Sequence, residues 1–350
     1  MFELWYAIAA LVFAIYATLD GFDLGAGIVS PFVARTDAER RQVLAAIGPY
    51  WDGNEVWLLA GGGVLFLAFP RVLASGISGF YFAIFLVLWC LLARGISIEF
   101  RSHVPDSLWR TAWDFVFAAA STLLAVFLGA AFGNLMRGVP LDADGWFSLP
   151  LFTDFSARAP VGILDWYTIL TGAFALLALA GHGALFLAWK TDGPVHERSR
   201  QMARRVWIAV AVLWPVVTAA SHSVNPSLFP GMGRRGLGLL AIALAVVGIV
   251  AVFVRLSRGA GLGAFLGSCA FLLGVIGASA ASYFPVMLRA IDGDVLSITA
   301  YTAGGHEGGL RSALRWFLVG LPLALAYLVV VFRLHRGKAV AAGDGEGYQL

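Results

Sequence analysis

The chain has 350 residues, of which 60% are hydrophobic and 13% are charged, and its mean hydropathy is +0.82. An ordinary soluble domain has an apolar share of roughly 45 to 50%, so this composition excludes one. The net charge is only +3, and because the basic residues are spread between the apolar runs, no nucleic-acid partner is expected. The runs are continuous and do not alternate, which excludes an outer-membrane barrel. The sequence therefore predicts an all-α integral membrane protein.

Several stretches without Asp, Glu, Lys or Arg are long enough to cross a bilayer, whose hydrocarbon core is about 30 Å thick. We predict nine transmembrane helices from them. In chain order the stretches are 4–19, 56–70, 72–93, 115–136, 166–189, 206–233, 236–254, 259–288 and 316–332. The first has no basic segment before it and no cleavage site after it, so we expect it to stay in the mature protein.

The basic residues predict the orientation of these helices. Sixteen of the 24 Lys and Arg residues lie in the segments that follow the odd-numbered stretches. Loops on the cytoplasmic side of a membrane carry an excess of Lys and Arg. We therefore expect the N-terminus outside and the C-terminus in the cytoplasm.

Two carboxylates follow the first apolar stretch and are drawn into its helix. That stretch has 16 residues, or about 24 Å at 1.5 Å per residue, so its helix must continue through Asp20 and Asp23 to span the bilayer. The two acids are three residues apart and share a helix face. Gly21, Gly25 and Gly27 form a small-residue face on which another helix can pack closely.

The second stretch repeats this pattern from the other direction. Residues 56–70 are too few to span the membrane, so the helix must include 51–55, which brings Asp52 and Glu55 towards the membrane. Both acid pairs then lie at the cytoplasmic end, where we expect them to converge. Ionisable residues inside a membrane are costly and usually functional, and a buried carboxyl group can hold and release a proton. The sequence predicts a proton pathway through Asp20, Asp23, Asp52 and Glu55.

Further polar residues surround this predicted pathway. Arg94 interrupts a long apolar run, and we place Asn54, Arg94, Glu99 and Arg101 in a supporting polar cluster. Two interpretations of Arg94 and Glu99 stay open, one structural and one with a direct part in handling protons or quinone. Arg110 and Asp114 have the i, i+4 spacing of a helix-end ion pair.

Two histidines, His182 and His222, lie inside apolar stretches. Each could bind heme iron, but a lone intramembrane histidine is more often hydrogen-bonded to a neighbouring helix. We expect no heme ligand and no metal site in this chain. Cys90 and Cys269 are predicted to be packing residues.

Four motifs carry a resemblance to a known family. They are Asp20-Gly-Phe-Asp-Leu-Gly25, Gly48-Pro-Tyr-Trp-Asp-Gly-Asn-Glu-Val-Trp57, residues 94–101, and Ala131-Phe-Gly-Asn-Leu-Met-Arg-Gly-Val-Pro140. Together they resemble subunit II of the cytochrome bd quinol oxidases. The resemblance implies two four-helix bundles and a peripheral ninth helix. The expected division is a first bundle at 1–136, an outer loop at 137–165, a second bundle at 166–288, an outer loop at 289–315, the peripheral helix at 316–335 and a cytoplasmic tail at 336–350, of which 343–350 is predicted to be disordered.

The resemblance also implies a function and partners. In this family a heterodimer in the bacterial cytoplasmic membrane oxidises quinol, either ubiquinol or menaquinol, and reduces dioxygen to water. Subunit I carries the hemes b and d, and subunit II binds a structural quinone in some members. By motif position, Asp23 and Asp52 match acids that bring protons from the cytoplasm, and Trp57 matches a tryptophan near the place where oxygen enters. The expected partners are subunit I, quinol and lipids, with a small third subunit left open.

The alternative function is a proton-coupled secondary transporter, in which acids near the middle of the membrane couple solute to proton movement. Such proteins carry broken helices and internal repeats. The Asp20 to Gly25 motif has no counterpart in the second half of the chain. The sequence therefore favours the oxidase subunit.

Overall fold

The computed structural model describes residues 1–233 and 236–340, and the fold in these ranges is helical. The helices are α1 (Phe2–Val33), α2 (Asp37–Ile47), α3 (Trp51–Ala68), α4 (Pro70–Gly79), α5 (Tyr81–Phe100), α6 (Ser107–Arg137), α7 (Trp166–Lys190), α8 (Gly193–Val224), α9 (Leu228–Gly233), α10 (Gly236–Ser257), α11 (Gly261–Tyr283) and α12 (Glu307–Leu334). Two short strands, β1 (Val286–Leu288) and β2 (Ile298–Thr299), pair in antiparallel fashion. The predicted all-α class is confirmed.

Eight of the described helices are long and apolar enough to cross a membrane, which confirms an integral membrane protein. They are α1, α5, α6, α7, α8, α10, α11 and α12. The shorter α3 packs beside α1 but begins with the polar residues Asp52, Asn54 and Glu55. The count of nine spans, the two bundles and the orientation stay predictions.

The bundle has two ends, which we name by what they carry. At the α2 end, Arg101 of the segment after α5 reaches Asp37 of α2, and Arg198 of α8 reaches Glu39. At the loop end, Val139 bridges Ala290, so the connection between α6 and α7 lies beside the connection between α11 and α12. The N-terminus is also at the loop end, where the Tyr301 hydroxyl donates to Glu3.

Helix α1 is the central helix, in contact with α3, α6, α7 and α11. It passes α7 at glycine positions, where a Cβ added to Gly25 would lie 2.0 Å from the carbonyl oxygen of Leu179. A Cβ added to Gly183 would likewise lie 2.1 Å from the carbonyl carbon of Gly25. At Gly27 an added Cβ would meet the Ser121 hydroxyl of α6 at 2.2 Å. The close-packing face predicted for this helix is confirmed.

The predicted helix over 72–93 is wrong, because the chain forms two helices there. Phe80, with φ −101° and ψ 21°, separates α4 from α5. The sequence before it contains Gly76 and Gly79, which are poor helix formers. The ring of Phe147 from the loop end packs at 2.1 Å from where a Gly79 Cβ would be. Close approach of this loop requires a glycine at the break.

Three other predicted helices have different bounds. The helix predicted over 206–233 begins earlier and stops at Val224, and the one over 259–288 stops at Tyr283. Each stop lies just before an X-Pro pair, Asn225-Pro226 or Phe284-Pro285, and the residue before proline is disfavoured in helical conformation. The last helix begins at Glu307 and not at 316, with the His306 side chain accepting from the Gly308 N–H.

Helix α12 is peripheral in the structure, since Leu310 is its only buried residue. It is attached at the loop end, where the Trp5 indole donates to the Leu310 carbonyl. At the α2 end the chain continues as a strap, residues 335–340, whose Ala339 N–H donates to the Lys190 carbonyl at 2.7 Å. The Lys190 ammonium donates to the His335 carbonyl of the strap. Most of the predicted tail, 341–350, lies outside the described residues.

Candidate functional site

The candidate site is a group of polar side chains where α1, α3 and α5 meet. We call it the acidic cluster and define it as Asp20, Asp23, Asn54, Glu55 and Arg94. Asp20 and Asp23 are turned to one side of α1 by their three-residue spacing. Asn54 and Glu55 come from the first turns of α3, and Arg94 comes from the last third of α5. Three elements that are distant in sequence therefore build one site.

Arg94 joins two carboxylates within this cluster. Its Nη1 donates to Asp20 Oδ1 at 2.6 Å and its Nη2 donates to Glu55 Oε2 at 2.8 Å. The side chains of Arg94 and Asp20 are 0% exposed, whereas Glu55 is 28% exposed. Buried charges require such pairing, because removing them from water is costly. Arg94 thus fixes α1 and α3 against α5.

Asp23 is held differently, by an amide and not by a cation. Asn54 Nδ2 donates to Asp23 Oδ2 at 2.7 Å and to the Leu19 carbonyl at 3.3 Å. Asp23 is 1% exposed, and its Oδ1 has no hydrogen-bond partner among the described residues. Asp20 Oδ2 likewise has no hydrogen-bond partner among the described residues. The cluster therefore contains three acids and one arginine, an arrangement suited to holding a proton.

Two of the predicted site residues lie outside this cluster on the exposed surface. Asp52 is exposed and lies off the buried stripe of α3, which runs through Asn54, Trp57 and Gly61. Glu99 is also exposed, near the end of α5. The structure thus brings together Asp20, Asp23 and Glu55 of the four predicted acids, with Asn54 and Arg94 of the predicted supporting residues.

The remaining residue of the predicted supporting cluster, Arg101, belongs to a second cluster at the α2 end. It donates from Nε to Asp114 Oδ1 at 2.5 Å and from Nη2 to Asp37 Oδ1 at 2.8 Å. Arg40 also reaches Asp114, at 3.1 Å. Arg110, predicted to pair with Asp114, instead reaches Asp37 at 3.2 Å. The i, i+4 prediction is therefore replaced by a network that joins α2, α5 and α6.

The electrostatics of this second cluster stabilise ionised acids. Partial burial opposes ionisation of Asp37, but the hydrogen bond and charge of Arg101 and the charges of Arg41 and Arg110 hold its pKa below the ordinary value. This differs from Asp23, which no described arginine or lysine pairs with. The α2-end cluster is a surface anchor, and the acidic cluster is the site with uncompensated acids.

Sequence reasoning missed a buried ion pair at the loop end. Arg137 at the end of α6 pairs with Asp165, the N-cap of α7, and both side chains are 0% exposed. Arg137 also donates to Asn134 Oδ1 at 2.7 Å and to the Gly162 carbonyl at 3.1 Å. The motif Ala131 to Pro140 contains Asn134 and Arg137, but nothing in the sequence indicated Asp165 as the acid that pairs with Arg137. This pair secures the loop between α6 and α7.

His182 is hydrogen-bonded on both ring nitrogens. Nε2 lies 2.9 Å from the Thr18 carbonyl and Nδ1 lies 2.6 Å from the Ser268 hydroxyl, while the ring stacks on Phe265. The structure thus agrees with the interpretation of His182 as a link between neighbouring helices, here α1, α7 and α11. Within residues 1–233 and 236–340, no group of three or more His, Cys, Asp or Glu side chains is placed to hold a metal.

Trp57 lies one turn beyond the acidic cluster on the buried stripe of α3, and it is 7% exposed. It lines a cavity of about 340 Å³ between α1, α3 and α12, together with Trp5, Gly63, Phe317 and Gly320. The lining is almost entirely apolar, with small residues that leave the space open. Such a cavity accommodates a small apolar molecule.

Comparisons with known proteins agree with this arrangement. The family described as cytochrome bd terminal oxidase subunit II matches residues 1–335. Cytochrome bd ubiquinol oxidase subunit 2 of Bacillus subtilis is 34% identical over 256 residues, which is 72% of this chain and 72% of that protein. Cytochrome bd-I ubiquinol oxidase subunit 2 of Escherichia coli strain K12 is 33% identical over 231 residues, 64% of this chain and 60% of that protein.

A solved structure shares the fold. The bd oxidase from Geobacillus thermodenitrificans aligns with a TM-score of 0.73 and 18% sequence identity, covering 95% of this chain and 98% of the matched chain. The fold match extends beyond the four motifs of the first 140 residues to the second half, where the sequence has little signature. The chain therefore belongs to the cytochrome bd terminal oxidase subunit II family and is a membrane subunit of a respiratory oxidoreductase complex.

Proposed function

We propose that this chain supplies a proton pathway and part of the oxygen access route to a bd-type oxidase in the bacterial cytoplasmic membrane. In this proposal the complex oxidises quinol and reduces dioxygen to water. The Bacillus subtilis and Escherichia coli relatives are named as subunits of ubiquinol oxidases, which supports quinol as the electron donor. The orientation follows the excess of basic residues, with the N-terminus outside and the α2 end in the cytoplasm.

The hemes b and d belong to the partner subunit I in this proposal. His182, the fully buried histidine of this chain, has both ring nitrogens in hydrogen bonds with the protein, so it does not fit the role of an axial ligand. When bound in subunit I, the hemes supply the electron transfer to dioxygen. The role of the present chain is to hold and move the protons that this reduction consumes.

The observation that carries the proton proposal is Asp23, a buried carboxyl group beside Asp20 that is held by an amide. Asn54 orients one oxygen of Asp23, which leaves the other available to receive a proton. Arg94 holds Asp20 and Glu55 in place and Asn54 holds Asp23, so the three acids stay within one cluster in either protonation state. Protons pass from the α2 end through Asp23 to Asp20.

Asp52 and Glu55 are the outer members of this pathway. Asp52 is exposed at the first turn of α3, where it meets solvent or subunit I, and we assign it the collection of protons. Glu55 is partly exposed and joined to Arg94, which connects that surface with the buried acids.

Oxygen access is proposed at the cavity beside Trp57. Dioxygen is small, apolar and concentrated in lipid, and the cavity lies between α12 and the bundle, where α12 buries almost no surface. The indole of Trp57 closes the inner wall of this space, one turn from the acidic cluster.

The test is Asp23→Asn in the purified complex, because asparagine keeps the shape and the hydrogen bond to Asn54 but cannot carry a proton. Quinol-dependent oxygen consumption should fall by roughly a hundredfold or more, because positioned proton-transfer groups contribute about 10²–10⁴-fold. A reduced-minus-oxidised spectrum with full b- and d-type heme bands must show that the complex is assembled.

The matched control is Asp144→Asn, an exposed acid in the loop between α6 and α7, which should leave turnover unchanged. Asp52→Asn tests the collecting role, for which a smaller decrease is expected. Normal oxygen consumption by a fully heme-loaded Asp23→Asn complex would remove Asp23 from the pathway and refute the proposal.

A further inference from the structure

Tyr16 lies on the same face of α1 as the two aspartates and one helical turn closer to the loop end. Positions 16, 20 and 23 have the i, i+4, i+7 spacing that aligns side chains along a helix. Tyr16 is 5% exposed. The charged groups that act on its hydroxyl are Asp20 on the same helix, Arg94 on α5 and Glu55 on α3. Tyr16 therefore extends the acidic cluster.

The Tyr16 hydroxyl is buried and has no partner of regular hydrogen-bond geometry among the described residues, although Asp20 lies close enough to interact with it. Asp20 Oδ2 and Asp23 Oδ1 are in the same condition, so three unpaired oxygens lie along one face of α1. Buried polar atoms in proteins are nearly always hydrogen-bonded to protein or to ordered water. A short water-linked chain of hydrogen bonds along this face satisfies all three.

A role in stability does not explain this hydroxyl. Burying a hydroxyl without a well-formed hydrogen bond opposes folding, and phenylalanine would fill the same space without that cost. Thr18, half a turn away, shows the contrast, because its hydroxyl donates to the Ala14 carbonyl at 2.7 Å. The residue at position 16 is polar where packing alone favours an apolar ring.

We propose that Tyr16 passes protons from Asp20 one helical turn further towards the loop end, through its hydroxyl and bridging water. In each transfer the phenol oxygen accepts a proton from Asp20 or from water and releases its own hydrogen to the next water. One O–H bond forms as another breaks, so the tyrosine carries no net charge afterwards. This inference rests on the proposed proton pathway and deepens it.

The apolar surroundings explain why the chain of polar groups on α1 ends at Tyr16. The next residues on this face, Val12, Ala9 and Trp5, are buried and belong to the hydrophobic core of the loop-end half. A proton at Tyr16 must therefore leave α1 sideways, through water. Tyr16 is thus the last protonatable side chain on this face of α1.

The experiment compares Tyr16→Phe with Tyr6→Phe in the purified, heme-loaded complex. Tyr6 is on the same helix, but its hydroxyl donates to the Ala280 carbonyl at the loop end. Tyr16→Phe should slow oxygen consumption by about threefold or more and raise the solvent deuterium isotope effect, with thermal stability unchanged or higher. Tyr6→Phe should leave the isotope effect as in the unmodified complex. Tyr16→His, which restores a protonatable ring, should recover part of the rate.

Asp23→Asn separates this inference from the proposed function. If Asp23→Asn slows the complex but Tyr16→Phe has the rate and isotope effect of the unmodified complex, the relay through Tyr16 is refuted and the pathway stands. If neither variant slows it, both are refuted. A Tyr16→Phe complex that is slow without a change in isotope effect, and that Tyr16→His does not improve, would also contradict the relay.

Discussion

At the scale of single residues, the guanidinium of Arg94 holds the acidic cluster together. It is the only arginine of the acidic cluster and it contacts acids from two other helices. A planar guanidinium can bind two carboxylates at once, which a lysine ammonium cannot do with the same geometry. Arg94 therefore sets both the charge balance and the spacing of the cluster.

Replacing Arg94 with Gln should destabilise the complex by about 3–5 kcal/mol, because it leaves Asp20 as an uncompensated buried charge. The measurement is thermal unfolding of the purified complex, followed by the loss of native heme absorbance. Adding Asp20→Asn to the same chain should restore much of the stability, since the unpaired charge is then removed.

The control for this prediction is Arg71→Gln. Arg71 is exposed and, among the described residues, donates to the Asp144 carbonyl at the loop end, so its loss should change stability by less than about 0.5 kcal/mol. Equal destabilisation by Arg71→Gln and Arg94→Gln would show that the buried pairing has no special part in the fold.

The sequence predicts which residues lie within the helices of the site more readily than it predicts which side of a helix each residue faces. The short apolar stretches were sufficient to place Asp20, Asp23 and Glu55 within helices. The exposure of Asp52 could not be predicted, because a membrane helix is apolar on all sides and has no amphipathic pattern to show its buried face. On α3 that face is marked by Asn54, Trp57 and Gly61. Asp165, the partner of Arg137, is 28 residues away in sequence and could not be paired without the fold.

At the scale of helices, the crossing of α1 and α7 determines how closely the two halves of the chain approach. Gly25 and Gly183 face each other with their backbones in contact. Small residues allow this approach, and van der Waals packing then stabilises the pair. The crossing lies beside Asp23, so it also positions the acidic cluster.

Gly183→Ala should reduce the amount of assembled, heme-containing complex. The added Cβ would lie 2.1 Å from the carbonyl carbon of Gly25, and since backbone cannot move aside as a side chain can, the helices must separate. Overpacking of this kind costs about 1–3 kcal/mol or more. Heme content per milligram of purified protein measures the effect.

Gly277→Ala is the matched control, because an added Cβ on α11 meets only Ala241 at an ordinary 3.4 Å. Alanine is also a better helix former than glycine, so this variant should assemble as well as the unmodified chain. If Gly183→Ala assembles equally well, the close crossing is not required for the fold.

At the scale of the whole molecule, the α2 end joins the first and second halves through Glu39. This residue completes the capping box of α2 with Thr36 and accepts from Arg198 of α8 at 2.8 and 3.0 Å. Arg198 also donates to the Val33 carbonyl at the end of α1. One ion pair thus connects α1, α2 and α8.

This connection predicts a dependence of stability on pH. The hydrogen bond from Arg198 is the main cause that lowers the pKa of Glu39 to about 2, with partial burial opposing it and the Arg35 and Thr36 N–H groups assisting. Since the folded pKa is below the unfolded value of about 4.3, the stabilisation is fully present above that value and is lost as the pH falls towards 2. By linkage, roughly less than half of it remains at pH 3.

Thermal unfolding of the Glu39→Gln complex checks this prediction. Its midpoint should be lower than that of the unmodified complex at pH 7, and the difference should shrink markedly at pH 3. Glu197→Gln, at an exposed position next to Arg198, should show no difference at either pH. If the difference in unfolding midpoint between the Glu39→Gln complex and the unmodified complex is the same at pH 7 and pH 3, the stabilising pair of Glu39 with Arg198 is contradicted.

Local sequence patterns predict only part of the architecture of the whole chain. Long uncharged stretches predict helices in lipid, since unsatisfied backbone groups are costly there. The separation of α4 from α5 depends on the approach of Phe147 to Gly79, a contact across 68 residues. The docking of residues 335–340 on Lys190 is likewise a long-range contact that no local pattern encodes.

The attachment of α12 at its two ends has a consequence for how the protein is made. Trp5 and Leu310 are 305 residues apart in sequence, and Tyr50 and His335 are 285 apart. Chains are synthesised from the N-terminus, so the first helices must wait in the membrane until α12 has been translated. The cavity beside Trp57 is closed only then, which makes its formation one of the last events of biogenesis.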